Sequence, residues 1–139
     1  MMQNSEIECM CERAGVRPSP VRSLVIRELD AAVGPISSQD IETSLQTVDR
    51  SSITRTLALF SERGLVHAVD DGSGSVKYEL CRAHDHEHHD DLHPHFRCTC
   101  CGTTYCLDSA PIPAIPLPDG FLFHSANYVI KGLCPKCNR

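Results

Sequence analysis

Four cysteines in two pairs, Cys98-x-x-Cys101 and Cys134-x-x-Cys137, carry the clearest chemistry in this chain. A two-residue gap lets the backbone turn so that both sulfurs of a pair face one ion. Four thiolates are the donor set of a closed, tetrahedral zinc site. Such a site ties the C-terminal residues to a point well upstream and so defines a small metal-stapled unit. Nine cysteines, an odd count, fit metal ligands and free thiols better than disulfides. The start, MMQNSEIECMC, has no basic stretch followed by an apolar run, and no segment approaches transmembrane length. A cytoplasmic protein with no membrane partner is therefore expected. Cys100 lies inside the first turn, where its sulfur should point away from the ion. Cys106 is left over, and Cys9 and Cys11 fall in a segment read as frayed.

A second source of ligands precedes the first pair. His84, His86, His88, His89, His93 and His95 crowd one short stretch. Residues 83–96 also carry four acidic side chains and no Lys or Arg, so the plain reading is a solvated link, and the sharper one an auxiliary metal reservoir. His93 and His95 are alternate residues and would share a face in an extended segment. No nucleophile–base pair or oxyanion device stands out, and a four-cysteine site would be coordinatively closed, so an enzyme is not expected.

The elements that must position these groups can be read from periodicity. Ser19-Pro20 is an N-cap serine followed by proline at the first helical position. Val21, Leu24, Val25, Leu29 and Ala32 recur at helical spacing until Gly34-Pro35 stops them. Ser37-Ser38 with Asp40 opens a second helix carrying Ile41 and Leu45. A third is expected from Ser51, with Ile53, Leu57 and Phe60 inward, Arg55 outward and Gly64 at its end. Leu65–Val69 and Val76–Leu80 read as a hairpin about Asp70–Ser75. Phe96–Leu107 can hold two short strands, Phe121–Ile130 another, and the prolines at 111, 113, 116 and 118 exclude a helix between them. Three helices and a hairpin give the order of a winged helix-turn-helix, whose third helix would enter the major groove. A small helical domain that binds no DNA fits the same pattern. The net charge of −5 gives DNA binding no support, so that reading rests on local arginines.

In combination these parts resemble the ferric uptake regulator family over nearly the whole chain. The resemblance is carried by Gly15-Val16-Arg17-Pro18-Ser19-Pro20-Val21-Arg22, Ser52-Ile53-Thr54-Arg55-Thr56-Leu57 with Gly64-Leu65-Val66, Tyr78-Glu79, His93-x-His95 and the two cysteine pairs. It implies an α+β protein: a winged-helix DNA-binding domain over 1–82, a His-rich hinge over 83–95 and a small, mostly β, zinc-stapled dimerisation domain over 96–139. It also implies a homodimeric, metal-responsive repressor of metal-uptake genes that binds double-stranded DNA at an inverted-repeat operator. Arg17, Arg22, Ser52, Thr54 and Arg55 are the expected DNA contacts. His67, Cys81, His93 and His95 make the chain most similar to the zinc uptake regulator branch. A hairpin turning near residue 73 would bring Cys81 back beside His67, and the His-x-His pair would complete a sensing site. One thiolate with three imidazoles suits zinc, whereas iron more often takes carboxylate with imidazole. An iron or peroxide sensor of the same family, and a zinc-buffering or metal-delivery protein, are the alternatives. The chain departs from the family's pattern at Thr54, usually tyrosine, and at Ala126, often histidine. It also departs in the proline stretch, which replaces a helix, and in the long His-rich insertion.

Overall fold

The computed structural model describes residues 2–81, 94–107, 110, 113–124 and 126–139. The hinge histidines, from His84 to His93, lie outside the described residues.

The chain begins with a helix, α1 (Asn4–Ala14), where a frayed terminus was expected. Its signal is the spacing of Ile7, Cys11 and Ala14, which places them on one helical face. Ile7 and Cys11 are buried in the main core. The Glu6 carboxylate accepts from the Gln3 amide at 2.6 Å, satisfying an orphan donor at the start. Gly15, at φ 68°, closes the other end in the left-handed conformation that glycine adopts without a Cβ penalty.

Helix α2 (Pro20–Ala31) starts as expected, with the Ser19 hydroxyl accepting from the Arg22 amide at 3.2 Å. Two residues of strand, β1 (Ile36–Ser37), precede α3 (Ser38–Ser44), where Ser37 and Asp40 cap each other's amides at 3.1 and 3.0 Å. Helix α4 (Arg50–Glu62) is capped by Asp49 rather than Ser51, its carboxylate accepting from the Ser52 amide at 3.2 Å. Val25, Ile26 and Leu29 of α2, Ile41 of α3 and Ile53, Leu57 and Phe60 of α4 meet Leu65, Val66 and Leu80 in one core.

Strands β2 (Val66–Asp70) and β3 (Val76–Leu80) form the antiparallel hairpin, and β1 joins its far edge to give the order β1-β3-β2. The ladder sets Val66 opposite Leu80 and His67 opposite Glu79. Because side chains alternate across a strand, Val66, Tyr78 and Leu80 share the face toward the helical core, and His67, Lys77, Glu79 and Cys81 share the other.

The C-terminal sheet has the order β5-β4-β6, from β4 (His95–Cys98), β5 (Thr104–Cys106) and β6 (Val129–Gly132). Strands β4 and β6 run parallel, with Cys98 beside Gly132, which carries the second cysteine pair to the first. The strand expected over 121–130 is confined to Val129–Gly132, since β4 offers a ladder of only that length. Phe121, Leu122 and Phe123 lie in an exposed segment without strand or helix. Among the described residues beyond 94 there is no helix, and burial is confined to Pro94, His95, Cys98, Thr104 and Cys134. A unit this small has too little apolar core to hold itself together and benefits from a metal staple.

Candidate metal centre and nucleic-acid interface

Cys98, Cys101, Cys134 and Cys137 converge, with their four sulfurs all within 4.8 Å of one another. The Cys101 and Cys134 sulfurs are 3.9 Å apart. A tetrahedral ion with Zn–S bonds of about 2.3 Å spaces its sulfurs by about 3.8 Å, close to the Cys101–Cys134 separation, so the donor set suits zinc. The local backbone favours thiolates. The amides of Cys101 and Cys134 both donate to Cys98 Sγ at 3.5 Å, and these bonds bring the Cys98 thiol down to about 5. Burial works to raise Cys134, but the Cys137 amide and the Tyr105 hydroxyl, among others, outweigh it and the net shift is downward. Donating to Cys134 pushes Tyr105 itself up to about 12. Cys137 is pushed well above the thiol range by its hydrogen bonds to the neighbouring sulfurs, Cys134 first. The crowded sulfurs hold the Cys137 proton tightly, and a divalent cation is what would release it. Cys100 is exposed and is not one of the four converging sulfurs.

A second group lies between the hairpin and the C-terminal sheet. Glu79, His95 and Cys106 each offer a ligand atom, all within 4.8 Å of one another. His95 Nε2 lies 3.1 Å from Glu79 Oε1, and the Cys106 thiol donates to Glu79 Oε2 at 2.8 Å. His95 sits opposite Cys106 on the β4–β5 ladder, which fixes that pair. Glu79 reaches them from the outer face of β3. Of the four residues expected to sense metal, His95 is therefore joined by two that sequence reasoning did not assign, Glu79 and Cys106. His67 stands directly opposite Glu79, and Cys81 lies two positions further along the same face, its amide bonded to the Leu65 carbonyl at 2.8 Å. Both are half-buried, and His93 lies outside the described residues. The signal for Glu79 was its alternation with Lys77 and Cys81. The signal for Cys106 was its alternation with Thr104, but the pairing of β5 with β4 is a matter of register that spacing does not give.

In the helical half, the start of α4 faces the start of α2. Ser19, Val21, Arg22, Ser52, Arg55 and Thr56 line a cleft of about 330 Å³ between the two helix N-termini. Helix N-termini and guanidinium groups are the donors that hold phosphate oxygens. Thr54 and Arg55 are exposed on α4, and Arg17 is exposed before α2. Arg22 spends one guanidinium nitrogen on the Arg17 carbonyl at 2.6 Å. The Ser52 hydroxyl donates to Asp49 at 2.6 Å, so it has only acceptor capacity to offer a ligand. Those bonds from Ser52 also hold the Asp49 carboxyl below its usual range.

Residues 13–116 match the ferric uptake regulator family. Solved structures agree in fold. A zinc uptake regulator complexed with zinc and DNA is 23% identical, with a TM-score of 0.64 over 96% of this chain and 91% of that one. The Vibrio cholerae ferric uptake regulator is 16% identical, with a TM-score of 0.64 over 91% and 98%. A zinc-bound manganese uptake regulator is 17% identical, with a TM-score of 0.65 over 92% and 98%. At these identities the likeness shows the fold, a winged helix followed by a small sheet-bearing unit. Among the described residues, no helix is long and apolar enough to cross a membrane.

Proposed function

The chain belongs to the ferric uptake regulator family, and from that premise we propose that it is a zinc-responsive repressor that binds operator DNA as a homodimer and controls metal-uptake genes. The observation that carries this reading is the placement of metal donors across the junction. Glu79 comes from the hairpin that is the wing, and His95 and Cys106 from the sheet that carries the four-cysteine site. An ion held there binds both parts at once and favours the one relative orientation that satisfies its ligands. That differential affinity is what a ligand needs to shift a conformational population.

The sensing site draws on His67, Cys81, His93 and His95, and Glu79 and Cys106 lie beside His95 on the same seam. Thiolate and imidazole together favour zinc over the harder cations, while the Glu79 carboxylate keeps an iron-type donor within reach. The four cysteines hold a resident zinc that supplies structure. Arg17, Arg22 and Arg55 supply the DNA-facing charge, with Ser52 and Thr54 as neutral contacts at the start of α4 beside the cleft between α2 and α4. The exposed apolar strip of Ile115, Leu117, Phe121, Leu122 and Phe123 supports a homodimer formed through the C-terminal unit.

DNA binding against buffered free zinc tests the reading. Cys81→Ser and Cys106→Ser separate the two donor sets at the seam. Loss of zinc dependence in Cys81→Ser alone supports the set with His67 and His93; loss in Cys106→Ser alone supports Glu79, His95 and Cys106. If both variants respond to zinc as the parent does, the seam is not the sensing site.

A further inference from the structure

A third polar cluster joins the wing to the C-terminal unit and contains no sensing ligand. Asp71, at the start of the hairpin turn, is completely buried. Its carboxylate accepts from Lys77 Nζ at 2.6 Å, from the Thr104 hydroxyl at 2.6 Å and from the Ser73 amide at 3.0 Å. Lys77 Nζ also donates to Thr104 Oγ1 and to the Gly102 carbonyl, each at 3.2 Å. An ammonium has three protons, and all three are placed. Gly102 immediately follows Cys101, so the wing lysine is bonded to the backbone of the first cysteine turn itself.

A second, independent contact converges on Thr104. A Cβ added at Gly34, in the loop between α2 and β1, would lie 2.0 Å from the Thr104 carbonyl oxygen and 3.1 Å from Tyr105 Cα. The backbone at the start of β5 is therefore pressed against the DNA-binding half at a point only glycine permits. The wing therefore holds Gly102 and Thr104, and the helix-turn-helix loop meets Thr104 and Tyr105.

We infer that Asp71, Lys77 and Gly34 are positioning residues that lock the winged helix onto the first cysteine turn, so that metal at the four cysteines sets the wing's position as well as holding its own sheet. A buried ion pair adds little net stability over an apolar pair, yet each partner depends strongly on the other, so its contribution is to geometry. The Gly102 carbonyl is where Lys77 needs it only while the Cys98–Cys101 turn keeps its shape, and an ion on those sulfurs is what keeps it. The inference rests on the four-cysteine site holding metal and not on which residues sense.

Hydrogen exchange on the full-length, zinc-loaded protein tests it without DNA. Thr104→Val removes the hydroxyl with little change of shape, Gly34→Ala forces the second contact apart, and Asp71→Asn removes the charge. Each should speed exchange of the amides in β3 by about tenfold, while those of α4 and the bound zinc are unchanged. Cys137→Ser, which empties the four-cysteine site, should speed the same β3 amides. In the Thr104→Val background it should add nothing further. Parental β3 exchange in Thr104→Val and Gly34→Ala would overturn the proposal. So would an undiminished effect of Cys137→Ser in the Thr104→Val background, since the metal would then reach the wing by another route. Because the readout contains no DNA, failure of the regulator reading leaves this result standing, and the reverse also holds.

Discussion

Cys98 illustrates how much a single residue's chemistry owes to its neighbours. Its spacing from Cys101 was readable in the chain, but the two amides that pull its thiol down to about 5 come from a turn and from the second pair. Tyr105, which donates to Cys134, had no readable signal, because its partner is brought close by the fold and not by spacing. Asp71 is similar. It stood in what looked like an ordinary polar turn and is instead fully buried. Burial alone would raise its pKa, but hydrogen bonds from Lys77, Ser73 and Thr104 outweigh this and hold the carboxyl well below its usual range. A depressed carboxyl stabilises the fold fully above its unfolded value, about pH 4, and loses that contribution as pH falls through the folded value. The stability difference between the parent and Asp71→Asn, from urea unfolding, should therefore be constant from about pH 5 to 8 and shrink only below about pH 4. A difference that disappears near neutrality would contradict the assignment of that ion pair.

At the scale of elements, the helices of the DNA-binding half were legible wherever a cap and an apolar stripe coincided. α2 and α3 begin at the serines that the sequence marked. α4 begins earlier than Ser51 because the Asp49 carboxylate reaches the Ser52 amide. Asp49→Ala should lower stability by about 1 kcal/mol, the ordinary value of an N-cap, visible as a lower urea midpoint with an unchanged slope. α1 was missed since its start lacks a serine or aspartate cap and its stripe is short, even though Ile7 is 1% exposed. Ile7→Ala should cost about 2–5 kcal/mol, as for other core truncations. A cost under about 0.5 kcal/mol, the range for surface substitutions, would return α1 to the periphery. The segment 121–128 was misread for the opposite reason. Phe121, Leu122 and Phe123 have strand-forming composition but no ladder partner among the described residues.

The whole molecule shows that the order of motifs was more legible than their meeting points. The winged helix, the His-x-His pair and the two cysteine pairs could be placed along the chain. That Glu79, His95 and Cys106 form one donor group depends on the docking of two sheets, which no local spacing encodes. The run of exposed apolar residues from Ile115 to Phe123 belongs to this scale as well, since its large side chains are offered to a partner surface. Phe121→Glu with Leu122→Glu should convert a dimer to a monomer in sedimentation, with metal at the four cysteines retained. A variant that remains dimeric would place the subunit contact elsewhere. The most direct test of the account is DNA binding by the parent protein across a buffered free-zinc series, with metal content measured at each point. One ion per chain should survive dialysis, and DNA binding should rise only as a further, exchangeable ion is taken up. Tight DNA binding that is indifferent to the exchangeable ion, or no uptake of that ion at all, would contradict it.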